Sequence, residues 1–217
     1  MYMASIGLSY RVRHSYQQQL KDWIFRPRAM VGYTIDKRNS LRLVFERSNT
    51  EPALASLSNN KTYITDHIIR QGNPALRHSI LNQIYAMYNH NSRYANLVIV
   101  PFYSYTQRPI NSYVTEKDDY IVRMSENGLH STNYGLQYAV TVKPFGSEIV
   151  SIRGSGRIEQ TEQRTSQIGD FSHFSTPFWY NVIFKYKELT VAYQGNIVGH
   201  SLSGPYLSTN ENSAPDR

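Results

Sequence analysis

Apolar and polar residues alternate with a period of two over unusually long segments of this chain. In residues 133–142, Tyr134, Leu136, Tyr138 and Val140 are separated by polar or small residues. This alternation is typical of a β-strand with one apolar and one polar face. Similar segments recur along the chain and predict about nine strands, many of about ten residues or more. Strands of soluble proteins average about five or six residues, whereas a tilted membrane-spanning strand needs about 9–11.

The connections between these segments alternate between two kinds. The short ones lie around residues 36–39, 90–93, 143–147 and 187–188, and the long polar ones at roughly 14–26, 50–76, 111–119 and 161–172. Short turns on one rim and long loops on the other are typical of outer-membrane barrels. We therefore predict an all-β protein, an antiparallel up-and-down meander that forms part of a transmembrane β-barrel, with long outer loops and short inner turns.

The chemistry of the two faces favours a membrane wall over a soluble β-sandwich or barrel. The polar face carries charged, amide and small side chains, and Arg153, Arg157 and Glu159 are predicted to face a hydrated lumen. Aromatic residues stand near strand ends on the apolar face, as an interfacial girdle requires. They include Tyr103, Tyr105, Tyr134, Phe178 and Tyr186. A soluble carbohydrate-binding β-sandwich or barrel module, with its apolar faces buried against each other, remains the alternative.

Composition excludes some classes of function. The chain has no cysteine, which rules out disulfides and thiolate chemistry. No run reaches 18 apolar residues, so a transmembrane helix is not expected. The net charge of +7 is scattered in ones and twos. Because nucleic-acid binding needs a dense basic patch, we expect no nucleic-acid partner.

Several segments together resemble the barrel of TonB-dependent outer-membrane receptors. The resemblance is closest to the outer membrane protein β-barrel family allied to starch-utilisation-system transporters, and it covers most of the chain from about Arg28 onward. Its first part is an Arg/Ser-rich strand end, a long loop and a Gly-Asn-Pro-x-Leu segment. The matching positions are Arg47, Pro52, Gly72, Asn73, Pro74 and Leu76. Residues 103–110 and 131–144 resemble a rising and a descending strand of the same family.

The resemblance implies a function and a set of partners. A receptor of this kind lies in the bacterial outer membrane, binds a bulky nutrient outside the cell and imports it. The nutrient would be a glycan, a peptide or a metal chelate. The implied partners are outer-membrane lipids, the transported ligand, the TonB energising complex acting through a plug region, and a surface lipoprotein. We expect no cofactor, no metal and no enzymatic activity.

The chain departs from the family pattern in length. It shows no plug domain, no TonB-box segment and no terminal aromatic residue of a complete barrel, and about nine strands do not close the large barrel of such receptors. We expect residues 1–217 to be a partial barrel domain without plug or closure. Gly72 and Pro74 fit a strand entry at the rim, because Gly permits a bend and Pro costs no ladder bond there.

Two glycine-containing motifs match catalytic or phosphate-binding patterns only in part. Residues 199–203 resemble a G-x-S-x-G nucleophile elbow around Ser201, but Ser203 replaces the last glycine and no helix is predicted to follow. Residues 154–157 resemble a phosphate-binding turn but lack a third glycine and a following helix. We interpret both as parts of strands, and an enzyme using Ser201 or a glutamate pair is the other alternative.

Ligand contacts are most expected in the long loops, because loops on rigid scaffolds carry recognition. The seven histidines show no metal-ligand spacing and are interpreted as structural or surface residues. They are His14, His67, His78, His90, His130, His173 and His200. The longest loop contains an apolar group that we expect to form a ligand lid or a small packed subdomain. Its members are Tyr63, Ile64, Ile68 and Ile69. We predict Tyr63, His67 and His130 as ligand-binding residues.

Overall fold

The computed structural model describes residues 2–15, 18–117, 119–165, 169–197, 200–203 and 206–209. Side chains are described for Tyr10 and, within these ranges, for residues 24–197. The elements in chain order are β1 (Tyr2–Ser15), β2 (Gln18–Thr34), β3 (Asn39–Thr50), α1 (Leu54–Leu57), β4 (Lys61–Thr65), β5 (Ile68–Gln71), β6 (Ser79–Asn91), β7 (Ala95–Gln107), β8 (Ile110–Lys117), β9 (Tyr120–Asn127), β10 (His130–Val142), β11 (Val150–Arg164), β12 (Asp170–Ser175), β13 (Phe178–Tyr186), β14 (Leu189–Ile197), β15 (His200–Ser203) and β16 (Tyr206–Thr209).

Most of these strands form one antiparallel meander. Among the described residues, β1, β2, β3, β6, β7, β10, β11, β13 and β14 are hydrogen-bonded in that order, and β12 also pairs with β11. The predicted all-β antiparallel fold is confirmed. Within the described part of the chain, no helix combines the length and apolar character needed to cross a membrane.

The short turns lie where the sequence predicts them. They connect β2 to β3, β6 to β7, β10 to β11 and β13 to β14, all at one rim of the meander. In the first turn, the Asp36 carboxylate accepts hydrogen bonds from the Asn39 side chain and from the backbone N–H groups of Arg38 and Asn39. These bonds hold the pKa of Asp36 below its ordinary value. The bond from the Asn39 side chain has the largest effect, and the bond from the Arg38 N–H comes next. These bonds fix the turn, and the turn fixes the register of β2 against β3.

Strand register places the alternating apolar residues on one continuous face. On this outer face Leu136 lies opposite Pro101 and Ile158, and Val182 lies opposite Ile152 and Tyr193. The large side chains there remain open, with Tyr33 66% exposed, Leu43 47% and Phe184 40%. A soluble sandwich would bury such a face against a second sheet. The exposure favours the membrane wall instead, because lipid covers such a face.

Three predicted loops are strands instead. β1 runs to Ser15 and β2 begins at Gln18, so the loop expected at residues 14–26 is wrong. Residues 111–119 belong mostly to the β8–β9 hairpin, and residues 161–172 include the end of β11 and the start of β12. Where a hairpin rises beyond the membrane, water reaches both faces. Polar residues are then compatible with the ladder, and the period-two signal disappears.

The apolar outer face gives a direct test of membrane exposure. Val182→Arg places a charge on that face, whereas Gln194→Arg places the same charge at the same level on the polar face, since Val182 pairs with Tyr193. We expect the first substitution to lower the free energy of unfolding by about 2–4 kcal/mol and the second by far less. Urea unfolding of the intact protein in lipid vesicles measures both. Equal effects would contradict the assignment of the faces.

Candidate functional site

The two longest loops of the meander combine into a second sheet at the rim opposite the short turns. One loop, between β3 and β6, contains α1, β4 and β5, and the other, between β7 and β10, contains β8 and β9. Their strands pair in the order β4-β5-β9-β8, which we call the loop sheet. The two loops meet at the parallel pair β5–β9, where the N–H of Ile121 donates to the carbonyl of His67 at 2.8 Å. Sequence alternation did not reveal this sheet because its strands are short and largely polar.

Two asparagine side chains connect the loops further. The Asn127 side chain accepts from the N–H of Arg77 at 2.7 Å and donates to the carbonyls of Arg77 and Arg108. The Asn73 side chain donates to the carbonyl of Ser125 at 3.1 Å. Each bridge includes one residue of the segment 72–79, which leads into β6: Asn73 in one and Arg77 in the other. The segment is therefore held by the neighbouring loop as well as by its own.

Gly72 allows the chain to pass close to another backbone segment. A Cβ atom at this position would lie 2.0 Å from the carbonyl oxygen of Ser58. The close approach is next to a hydrogen bond from the N–H of Asn73 to the carbonyl of Ser56 at 2.6 Å. The physical reason for glycine here is this contact between backbones.

The loop sheet buries one face and exposes the other. Ile69 and Val122 are 2% and 5% exposed, and Leu57 and Leu76 in the same loop region are also buried. Of the residues predicted to form a lid or a packed subdomain, Ile69 is buried, while Tyr63 and Ile64 are more than half exposed. The loop region therefore has a small core of its own, with aromatic and aliphatic groups at its margin.

The three predicted ligand-binding residues lie on different elements. Tyr63 is in β4, where its ring meets that of Tyr120 edge-on at a centroid distance of 6.2 Å. His67 is exposed in the turn between β4 and β5. His130 is the first residue of β10, and its ring lies 5.7 Å from that of Tyr105. Tyr63 and His67 thus share the loop sheet, whereas His130 belongs to the meander, and a ligand role for each stays a prediction.

The polar face of the meander carries the charged residues that the sequence assigns to a lumen. Arg157 and Glu159 approach to 2.5 Å between Nε and Oε2, and the Arg157 guanidinium lies 4.5 Å above the Phe102 ring. Asn133 donates to the same Glu159 oxygen at 3.3 Å. Register places Arg153 on this face as well. The Arg157–Glu159 pair is locally neutral, so its charges largely cancel on this face.

Next to this pair, Gly135 allows β10 and β11 to approach closely. A Cβ atom on Gly135 would lie 2.0 Å from the carbonyl oxygen of Ile158 and 2.8 Å from Cα of Glu159. Gly135 pairs with Phe102 on one side and with Glu159 on the other. The glycine in the Asn-x-Gly segment therefore lets β10 lie close to the Ile158–Glu159 backbone, while Arg157 and Glu159 meet because residues two apart in β11 share a face.

The two motifs that resemble catalytic or nucleotide sites lie in strands. Residues 154–157 are inside β11, which continues to Arg164, and the next described element is the strand β12. Ser201 is in β15 and pairs with Ser208 of β16, and its side chain lies outside the described ones. Within the described residues no group of three or more His, Asp or Glu side chains is arranged to hold a metal ion. His14 and His200 have side chains outside that part of the structure.

The bridge made by Asn127 gives a prediction about the loops. Asn127→Ala removes three hydrogen bonds between backbone and side chain, so we expect local opening of residues 72–79 and of β9 to become easier by roughly 1–3 kcal/mol. Hydrogen exchange of these segments in the detergent-solubilised protein measures the effect. Asn60→Ala, at an exposed position of the loop between β3 and β6, is the matched control. Unchanged exchange in the Asn127 variant would show that the bridge does not hold the loops.

The close approach at Gly135 gives a second prediction. Gly135→Ala forces two backbones apart, and we expect a loss of about 1–3 kcal/mol or more in the free energy of unfolding. Gly154→Ala is the control, because the nearest atoms to its Cβ belong to the movable Phe178 ring at 3.2 Å. Urea unfolding in lipid vesicles compares the two. Equal stability of the two variants would contradict the steric account.

Comparisons with known proteins agree with this geometry. The model of the outer membrane protein beta-barrel family matches residues 8–213, and no curated protein matches the sequence. The FrpB iron transporter from Neisseria meningitidis (F3-3 variant) is similar in fold, with a TM-score of 0.57, 8% sequence identity and 84% of this chain covered. The match covers 27% of that transporter, so this chain spans about a quarter of its length. The chain belongs to the outer membrane protein beta-barrel family, whose place is the bacterial outer membrane.

Proposed function

We propose that this chain is part of the barrel wall of a TonB-dependent outer-membrane transporter. The complete transporter binds a bulky nutrient at the cell surface and imports it through a plugged lumen. The nutrient is a glycan, a peptide or a metal chelate. The barrel wall itself makes and breaks no bonds.

The main support is the division of the meander into two faces. The outer face exposes apolar side chains such as Leu43 and Phe184, as contact with acyl chains requires. The opposite face carries Arg153 and the Arg157–Glu159 pair, which suits a hydrated lumen or the surface of a plug. The similar fold of an iron transporter and the resemblance of residues 47–76 to TonB-dependent receptors support the same function.

The proposed partners follow from this architecture. Lipids contact the outer face. An energising TonB complex acts through a plug region, and a surface lipoprotein covers the external rim on which the loop sheet lies. The loop sheet, with Tyr63 and His67 exposed on it, is the part of this chain that we expect to meet the nutrient first.

Energised uptake tests this function. Cells that produce the intact protein and cells that lack it are supplied with labelled glycans, peptides and ferric chelates, with and without a protonophore. We expect uptake of one of the three classes to require both the protein and the energised inner membrane. A passive pore would instead take up the substrate at the same rate with and without the protonophore. That outcome would exclude a TonB-dependent mechanism.

A further inference from the structure

Two arginines lie side by side on the exposed face of the loop sheet. In the parallel pair β5–β9, Arg70 is directly opposite Arg123, so both side chains project from the same face. Neighbouring strands are about 4.8 Å apart, so both guanidinium groups can contact the same ligand group. Both arginines are exposed. Ile69 and Val122, which directly precede them in sequence, are buried on the other face.

No ion pair neutralises the positive charge of these two arginines among the described residues. None of the ion pairs formed there involves Arg70 or Arg123. Glu116 lies on the same face of β8, diagonally from Arg123, but forms no ion pair with it. Like charges directly opposite each other destabilise a sheet. An anion placed between the two guanidinium groups would remove this repulsion.

A cavity of about 270 Å³ lies beside the two arginines. Three serine residues also line it: Ser112 and Ser125, which pair across β8 and β9, and Ser56 from α1. Guanidinium forks and hydroxyl donors are the groups that bind sulfate, phosphate and carboxylate oxygens. The volume suits a small acidic group rather than a whole bulky ligand.

We propose that Arg70 and Arg123 form a binding site for the oxyanion of a soluble acidic ligand. The site belongs to the loop sheet and not to the meander strands whose apolar face meets lipid, which is why a soluble ligand is favoured over a lipid phosphate. The site itself does not depend on the proposed function. Only the identification of its occupant with the imported nutrient, which would then carry a sulfate, phosphate or carboxylate group, rests on it.

Calorimetric titration of the intact, detergent-solubilised protein with pyrophosphate tests the site, because this compact probe offers two oxyanions to two guanidinium groups. We expect saturable binding at low ionic strength that weakens steeply with salt. Arg70→Gln and Arg123→Gln should each weaken it by about tenfold or more, and the double variant should abolish it. Arg→Lys at either position should give an intermediate loss, because the charge stays but the planar fork is lost.

Lys117→Gln is the matched control, since it removes one positive charge at the far end of β8 and should change affinity by less than about twofold. Because all three positions are exposed, hydrogen exchange of the loop sheet checks that each variant keeps its fold. Absence of saturable binding, unchanged affinity in the arginine variants, or an equal loss in the lysine control would overturn the proposal.

A second experiment distinguishes a lipid phosphate from a soluble ligand as the occupant of the site. The protein is placed in nanodiscs that contain lipid A with or without its phosphates. Equal pyrophosphate binding in both supports the soluble ligand. Loss of binding only with phosphorylated lipid A would assign the arginines to the membrane surface and overturn the proposal. Pyrophosphate binding combined with energy-independent uptake would contradict the proposed transport function and leave the site intact.

Discussion

A chain that crosses hydrocarbon must pair every backbone N–H and C=O internally, and the meander follows from this requirement. In β10, both neighbours are needed: residues 130–142 pair along their whole length with β7 on one side and β11 on the other. Once pairing fixes the register, alternation fixes the faces. Tyr134, Leu136 and Val140 can then only lie on the side opposite Asn133 and Gln137. Side-chain chemistry decides which of these two sides meets lipid.

Outside the membrane the same requirement is met in a different way, because water can serve as a partner. The loops there use side chains to hold their backbones, as Asn73 and Asn127 do. Gly72 and Asn73 place the chain against the Ser56–Ser58 backbone. Pro74 follows, where no ladder bond is lost. The segment Gly-Asn-Pro-Ala-Leu-Arg is therefore the junction at which side-chain bridging gives way to strand pairing in β6.

This difference explains how far the sequence predicts the structure. The strands within the membrane were predictable, because one face of each strand meets lipid and the other meets a polar environment. The apolar residues of Tyr134 to Val142 alternate with small or polar ones, and the apolar face of Phe178 to Tyr186 is continuous, although Trp179 and Ile183 interrupt its polar face. The loop sheet was not predictable, because its order depends on pairing between two different loops, through residues more than fifty positions apart in sequence such as Ile69 and Val122. Neither loop alone carries the signal. The extended ends of β1 and β2 were missed for a related reason, since polar pairs such as His14 and Gln19 carry no facial preference.

The charges of the two regions are organised in opposite ways. On the polar face of the meander, Arg157 is paired with Glu159 and stacked on Phe102, so its charge is compensated within the wall. On the loop sheet, Arg70 and Arg123 are adjacent and uncompensated by any ion pair within the described residues. A structural role explains the first arrangement, because pairing lowers the cost of a charge near a low-dielectric membrane. It does not explain the second, in which repulsion between neighbouring strands opposes the parallel pairing that joins the two loops. An external anion resolves that conflict, and its binding would strengthen the contact between the loops.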